Sequence, residues 1–175
     1  MTALRATVRV PGIARADAEH PAVTPIDLWL TLSAICGDTP DRREEPSVVI
    51  ERAGTLQRLD VEPGEDRLAR AFFGACAAAG RRLPTALHLR VTSQIPVSVG
   101  LGASTAAIVA GAVAANALLD LGLDDAALAR VCTTIDDDAM AVGAALSGSY
   151  VVQLRTECEP SIPLARTDIE NERLS

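Results

Sequence analysis

The sequence predicts an α+β domain of two layers, in which helices pack on one face of a mixed β-sheet. Two patterns support this class: segments in which apolar and polar residues alternate, typical of strands, and alanine-rich runs, typical of helices. The length of 175 residues suits one domain with a sizeable core. Because 49% of the residues are hydrophobic and only 2% are aromatic, alanine, valine, leucine and isoleucine must build that core.

The amino-terminal part of the chain is predicted to contribute strands. Residues 5–11 and 26–35 alternate apolar with polar side chains, as two neighbouring strands of one sheet do. Residues 47–52 and 56–61 are expected to form a hairpin, because Gly54 between them is a typical turn residue.

The rest of the chain is predicted to combine helices with strands. A strand at 87–92 delivers the chain to a glycine-rich loop that feeds directly into a long helix. The elements expected here are a helix that starts at 63–66 with acids in its first turn and stops at Gly80, the strand at 87–92, a helix from about 104 to 119, a helix from 124 or 125 to about 133, and a strand at 149–154.

The loop before the long helix is the strongest functional signal in the chain. Gly100 and Gly102 let the backbone approach a ligand closely, and Ser104 and Thr105 place hydroxyl groups at the helix start. Because the first turn of a helix has unpaired N–H groups and the positive end of the helix dipole, such a junction can hold phosphate. The alternative is a tight turn, capped by Ser104, whose small residues merely allow close packing of helix on sheet.

The loop resembles the phosphate loop of the GHMP kinases, which phosphorylate small metabolites such as homoserine, mevalonate and galactose. The shared pattern is Pro96, three residues, Gly-Leu-Gly, a pair of small or hydroxyl residues, and then alanines. Within that family, residues 87–152 are most similar to homoserine kinases. The resemblance implies nucleotide binding by Pro96, Val97, Ser98, Val99, Gly100, Leu101, Gly102, Ala103, Ser104, Thr105 and Ala106.

The resemblance also implies a fold, an activity and cofactors. The fold would be the amino-terminal domain of the family, similar to a ribosomal-protein domain, and the activity would be ATP-dependent phosphorylation of a homoserine-like alcohol. In the family a hydroxyl of the serine pair helps to hold Mg²⁺. Here the pair reads Ala103 and Ser104, so Ser104 would be the ligand, with Thr105 as its substitute and Asp136 at the position of a family glutamate.

Two motifs of the family are changed in this chain. Met140 and Ala141 fall where the family carries an Asp-Asn pair that contacts substrate, and of the amino-terminal motif only Pro11 and Gly12 remain. The three carboxylates at 136–138 could partly substitute by binding a cation, or they could form a solvated acidic turn.

No catalytic base can be assigned from the sequence. His20, beside Glu19, could act as a general base, although a loop histidine next to an acid is usually only solvated. His88 lies on a predicted strand and is expected to be a surface or hydrogen-bonded histidine.

The chain as a whole limits its partners. The net charge of −7 argues against nucleic acid, and the uncharged run at 91–119 contains too many polar and small residues for a membrane span. Four widely spaced cysteines and the lack of a secretory signal favour a cytoplasmic protein. Residues 1–155 are expected to form the domain, and 156–175 a tail or the start of a missing carboxy-terminal domain; a homodimer is also possible.

An inactive domain is the alternative to a kinase. Loss of the polar pair at 140–141 and of the first hydroxyl at Ala103 would suit a relative that keeps the fold, binds nucleotide weakly and acts through association.

Overall fold

A computed structural model describes residues 2–16, 22–37, 47–148 and 151–158 of the chain. Its elements in order are β1 (Thr2–Arg15), β2 (Val23–Gly37), β3 (Ser47–Gly54), α1 (Arg67–Ala78), β4 (Ala86–Ser93), α2 (Ala103–Leu118), α3 (Asp125–Thr133), α4 (Ala139–Ser147) and β5 (Val151–Cys158). None of the described helices is long and apolar enough to cross a membrane. His20 and most of the predicted tail, residues 159–175, lie outside the described residues.

The strands form one mixed sheet in the order β3-β4-β2-β1-β5. The pairs β1–β2, β2–β4 and β1–β5 are antiparallel, whereas β3 and β4 are parallel. The register of β1 against β2 shifts between Pro11 and Gly12. This irregularity brings the end of β1 to the glycine loop, where Ile13 N–H donates to the Leu101 carbonyl oxygen at 3.1 Å.

The hairpin predicted around Gly54 is wrong. Residues 47–54 do form a strand, but its partner is β4; residues 55–58 form a turn, and residues 59–61 have no regular structure. Gly54 has a φ of +66°, and Thr55 N–H donates to the Ser93 carbonyl oxygen at 3.0 Å. These contacts direct the chain across the end of β4, and the buried side chain of Leu56 anchors the turn that leads to α1.

The core lies between the helices and one face of the sheet, and it confirms the predicted α+β class. On β4 the side chains of Leu87, Leu89 and Val91 are buried, as their alternation predicts. Helix α2 packs on β1 and β2 and is buried on nearly all sides. At Gly111 it approaches α1 so closely that a Cβ would overlap the Leu68 carbonyl oxygen. The backbone of α2, which begins at the glycine loop, is therefore held firmly in the core.

Three element boundaries differ from the prediction in ways that concern the site. Helix α1 begins at Arg67, because Asp66 is its N-cap and the acids precede the first turn instead of occupying it. The sequence prediction contained no helix after residue 133, yet α4 begins at Ala139, with Asp138 as its N-cap. Strand β5 continues to Cys158, beyond the predicted strand end and domain boundary, and pairs with β1 over that length.

Candidate functional site

The glycine loop has a backbone suited to holding an anion. Ser98, Gly100 and Gly102 have φ angles of +65°, +79° and +74°, so left-handed residues alternate along the loop. Alternation of this kind turns successive N–H groups toward one concave side, and such concavities bind phosphate and other anions. Ser98 is a non-glycine residue with positive φ, which is uncommon outside strained or functional segments.

Helix α2 begins without a side-chain cap, unlike the other three helices of the described chain. Its N-cap is Gly102, whereas Asp66, Asp124 and Asp138 cap α1, α3 and α4 through their carboxylates. Ala106 N–H makes the first intrahelical bond, to the Gly102 carbonyl oxygen at 2.8 Å. The N–H groups of residues 103–105 therefore remain available at the positive end of the helix dipole.

The two hydroxyl groups of the first turn have different partners. Ser104 is exposed and does not cap the helix, so the cap expected in the alternative interpretation is not formed, although Gly102 does pack closely on Ile13. Its Oγ accepts a hydrogen bond from Arg67 Nη1 at 2.9 Å. Thr105 is 6% exposed, and its Oγ1 donates to Asp136 Oδ2 at 2.6 Å. The substitute hydroxyl, Thr105, is therefore the one that contacts the candidate metal-binding carboxylate.

The acidic residues 136–138 form the turn between α3 and α4, and each has a different environment. Asp136 bonds Thr105, Asp137 is exposed, and Asp138 Oδ1 accepts the Ala141 N–H at 3.0 Å. No group of three potential metal ligands converges within the described residues, so the predicted substitution by three clustered carboxylates is not formed there. The turn lies at the amino-terminal end of α4, where negative charge is favourable.

Cys132 lies beneath this turn and contributes no charge to it. Burial, with a smaller contribution from the negative charge of Asp136, raises the pKa of the Cys132 thiol to about 12. The thiol is therefore neutral near pH 7, and the negative charge of this region belongs to the carboxylates.

Arg67 is a site residue that the sequence analysis missed. It is the first residue of α1, and the neighbouring Asp66 bonds the N–H groups of Leu68 and Ala69 and forms a buried ion pair with Arg52. These bonds fix the position from which Arg67 reaches Ser104. One signal was available: arginine at the positive end of a helix dipole is unfavourable, which suggests a role other than helix stability.

A groove of about 420 Å³ is lined by the glycine loop, the ends of β1 and of α1 that lie near it, and the turn before α4. It is lined by Ile13, Arg15, Arg67, Pro96, Val97, Ser98, Gly100, Leu101, Gly102, Ala103, Ser104, Thr105, Asp136, Asp138 and Ala141. Two residues of the predicted loop do not line it, since Val99 is 60% exposed and Ala106 is fully buried. A second cavity of about 480 Å³ shares Arg67, Asp136 and Asp138 with the groove.

The remaining candidates lie elsewhere. Met140 is 50% exposed and does not line the groove, while Ala141 is buried and offers it only a methyl group. His88 projects from the sheet face opposite the buried Leu87 and Leu89, where its Nε2 lies 3.0 Å from Glu51 Oε1. The described part of the groove thus combines backbone N–H groups, hydroxyls, carboxylates and two arginines, a set suited to phosphate and a hard cation.

Residues 67–149 match the family described as "GHMP kinases N terminal domain". The chain is 41% identical over 146 residues to a homoserine kinase from Deinococcus radiodurans, covering 83% of this chain and 45% of that protein. It is 30% identical over 160 residues to a 4-diphosphocytidyl-2-C-methyl-D-erythritol kinase from an Arthrobacter species, covering 91% and 49%. The chain thus spans less than half the length of these curated relatives.

The fold also has solved counterparts. A crystal structure of homoserine kinase from Cytophaga hutchinsonii superimposes with a TM-score of 0.67 at 19% identity, covering 85% of this chain and 48% of that one. At this identity the match supports the arrangement of strands and helices.

Proposed function

Because the chain belongs to the GHMP kinase family through its amino-terminal domain, we propose that it binds ATP for the phosphorylation of a hydroxyl group on a small molecule. One observation carries the proposal. Alternating left-handed residues at 98, 100 and 102 lead into the uncapped start of α2, and a carboxylate, Asp136, lies beside it. Among the described residues this combination of N–H donors and an acidic oxygen is what a phosphate chain with a divalent cation requires.

The groove residues divide the binding of nucleotide and metal between them. The N–H groups of residues 100–104 would hold the phosphates, and Arg67 would add a positive charge beside Ser104. Ser104 and Asp136 would provide oxygen atoms of the kind that Mg²⁺ prefers, and Thr105, whose Oγ1 donates to Asp136 Oδ2, would orient that carboxylate. A bound Mg²⁺ would neutralise the negative charge of the phosphates during phosphoryl transfer.

A homoserine-like alcohol is the substrate we propose, in a cytoplasmic setting. The support is the 41% identity to a protein named homoserine kinase, which is higher than the 30% identity to a kinase named for a different alcohol. Catalysis would rest on positioning and charge neutralisation. A second copy or a further domain that completes the substrate side stays a prediction.

A nucleotide-binding domain without catalysis is the second candidate. The exposed Met140 and the buried Ala141 favour it, because the first turn of α4 provides no polar side chain at those two positions. The two candidates share nucleotide binding and differ in turnover.

The test is calorimetric titration of the chain with ATP in the presence and absence of Mg²⁺. We expect magnesium-dependent binding that Ser104→Ala weakens by about tenfold, the equivalent of one charge-assisted contact. Ser47→Ala is the matched control, because Ser47 is an exposed serine on β3 that does not line the groove. No detectable Mg–ATP binding would contradict both candidates. If Mg–ATP binds, an assay for homoserine phosphorylation decides between them: turnover supports the kinase, and no turnover supports the domain without catalysis.

A further inference from the structure

The groove contains an ion pair to which the proposed function assigns no role. Arg15, the last residue of β1, pairs with Asp138 Oδ2, and both residues line the groove together with Ser104 and Asp136. Among the described lining residues, Arg67 bonds a serine hydroxyl and Asp136 a threonine hydroxyl, whereas Arg15 and Asp138 bond each other.

The acidic partner of the pair is held in place by a second bond. Asp138 Oδ1 accepts the Ala141 N–H at 3.0 Å, which holds the carboxylate at the start of α4, and its other oxygen meets Arg15. Ile13, two residues before Arg15, is bonded to Leu101 of the glycine loop. The carboxylate of Asp138 and the backbone near Arg15 are therefore both held close to the glycine loop.

The pair is also accessible to a ligand. The side chains of Arg15 and Asp138 are 50% and 30% exposed, so this is a surface ion pair that costs little to open. A guanidinium group presents five N–H donors and can bind a carboxylate with two parallel hydrogen bonds, and a carboxylate accepts hydrogen bonds from an ammonium group. Adjacent guanidinium and carboxylate groups are therefore complementary to a zwitterion.

We propose that Arg15 and Asp138 recognise the α-carboxylate and α-ammonium groups of an amino-acid alcohol. The inference rests on the proposed function, since the hydroxyl group of this ligand is the phosphoryl acceptor. A hydroxy acid has no ammonium group, so the ligand would not pair the charge of Asp138. An amino alcohol has no carboxylate, so the ligand would not pair the charge of Arg15. The pair thus selects zwitterionic alcohols over alcohols that carry a single charge.

Three alcohols that differ in one charged group test this selection. L-homoserine carries both groups, 4-hydroxybutyrate lacks the ammonium group, and 3-amino-1-propanol lacks the carboxylate. Each is titrated into the full chain by calorimetry, with and without Mg–ATP. We expect homoserine to bind about tenfold more tightly than either analogue, the difference that one charge-assisted contact makes.

Two variants assign each contact. In Arg15→Gln, homoserine should bind no better than 3-amino-1-propanol; in Asp138→Asn, no better than 4-hydroxybutyrate. Asparagine is as good an N-cap as aspartate, so Asp138→Asn removes the charge while α4 stays capped. Arg58→Gln, at an exposed arginine outside the described groove lining, is the control, and thermal unfolding checks that each variant is folded.

The outcomes separate this inference from the proposed function. Equal binding of the three alcohols, or binding of none, would overturn the zwitterion inference while Mg–ATP binding left the proposed function standing. Loss of Mg–ATP affinity in Arg15→Gln would assign Arg15 to the nucleotide and would also overturn it. Absence of Mg–ATP binding in the unaltered chain counts against the proposed function, and the titrations without nucleotide still test the ion pair.

Discussion

Helices α2 and α4 both begin at the groove, but their first turns are built in opposite ways. At α2 the N-cap is Gly102 and the N–H groups have no side-chain partner, whereas at α4 the carboxylate of Asp138 accepts the Ala141 N–H. The α2 start depends on backbone conformation and on a helix buried on nearly all sides; the α4 start depends on one partly exposed side chain. A helix start that is closed by aspartate gains stability from the cap, whereas one that is left open can bind an anion through its N–H groups.

Helices α1 and α3 extend this comparison. Both are capped by aspartate, but Asp66 is buried and paired with Arg52, while Asp124 is exposed and accepts only the Ala127 N–H among the contacts described for it. The cost of losing a cap should therefore depend on what else the carboxylate bonds.

The largest effect is expected for Asp66→Ala. This change removes the cap of α1 and leaves the Arg52 guanidinium buried without its partner, so the free energy of unfolding should fall by about 4 kcal/mol. The matched change Asp124→Ala removes an exposed cap and should cost about 1 kcal/mol. Urea unfolding measures both, and equal losses would show that burial of the ion pair adds nothing to the cap.

A smaller effect is expected when the open start of α2 is altered. In Gly102→Ala the new Cβ would overlap Ile13 Cγ1 at a φ of +74°, so the loss should be about 3 kcal/mol. Gly100 has a similar φ of +79°, but a Cβ there meets nothing within 4 Å, so Gly100→Ala should cost only about 1 kcal/mol.

The same pair of variants reports on the ligand. If the open start holds phosphate, Mg–ATP should raise the unfolding temperature of the unaltered chain more than that of Gly102→Ala, because the displaced loop binds less tightly. Identical ligand-induced shifts in the two proteins would place the phosphates away from this loop.

The sequence predicted the backbone half of the site better than the side-chain half. The glycine loop and helix α2 were found to within a residue, because strand alternation, two glycines and an alanine-rich run are local signals. Contacts such as Thr105 with Asp136 and Arg67 with Ser104 join residues 31 and 37 positions apart, and only the folded chain brings them together.

The errors have similar causes. Helix α4 was missed because three aspartates before Ala139 suggest a solvated turn, although the last of them is an N-cap. The hairpin at Gly54 was predicted because the apolar pattern of residues 56–61 resembles a strand. In the structure β3 instead pairs in parallel with β4, and Ser47 lies opposite Ala86, 39 residues further along the chain. Local propensity cannot weigh such a non-local pairing.

A change at Thr105, with a smaller effect than those at Asp66 and Gly102, separates the contributions of the loop and of Asp136. Thr105→Val removes the hydrogen bond from Oγ1 to Asp136 Oδ2 while keeping a side chain of similar shape, so the free energy of unfolding should fall by about 1.5 kcal/mol. Thr105→Ser keeps the hydroxyl and should lose less, and Thr92→Val is a control at an exposed threonine of β4. Because Asp136 would remain but lose its orientation, Mg–ATP affinity should fall less in Thr105→Val than in Asp136→Asn. An equal fall in both would mean that Thr105 itself, and not only its hold on Asp136, contacts the metal or the phosphates.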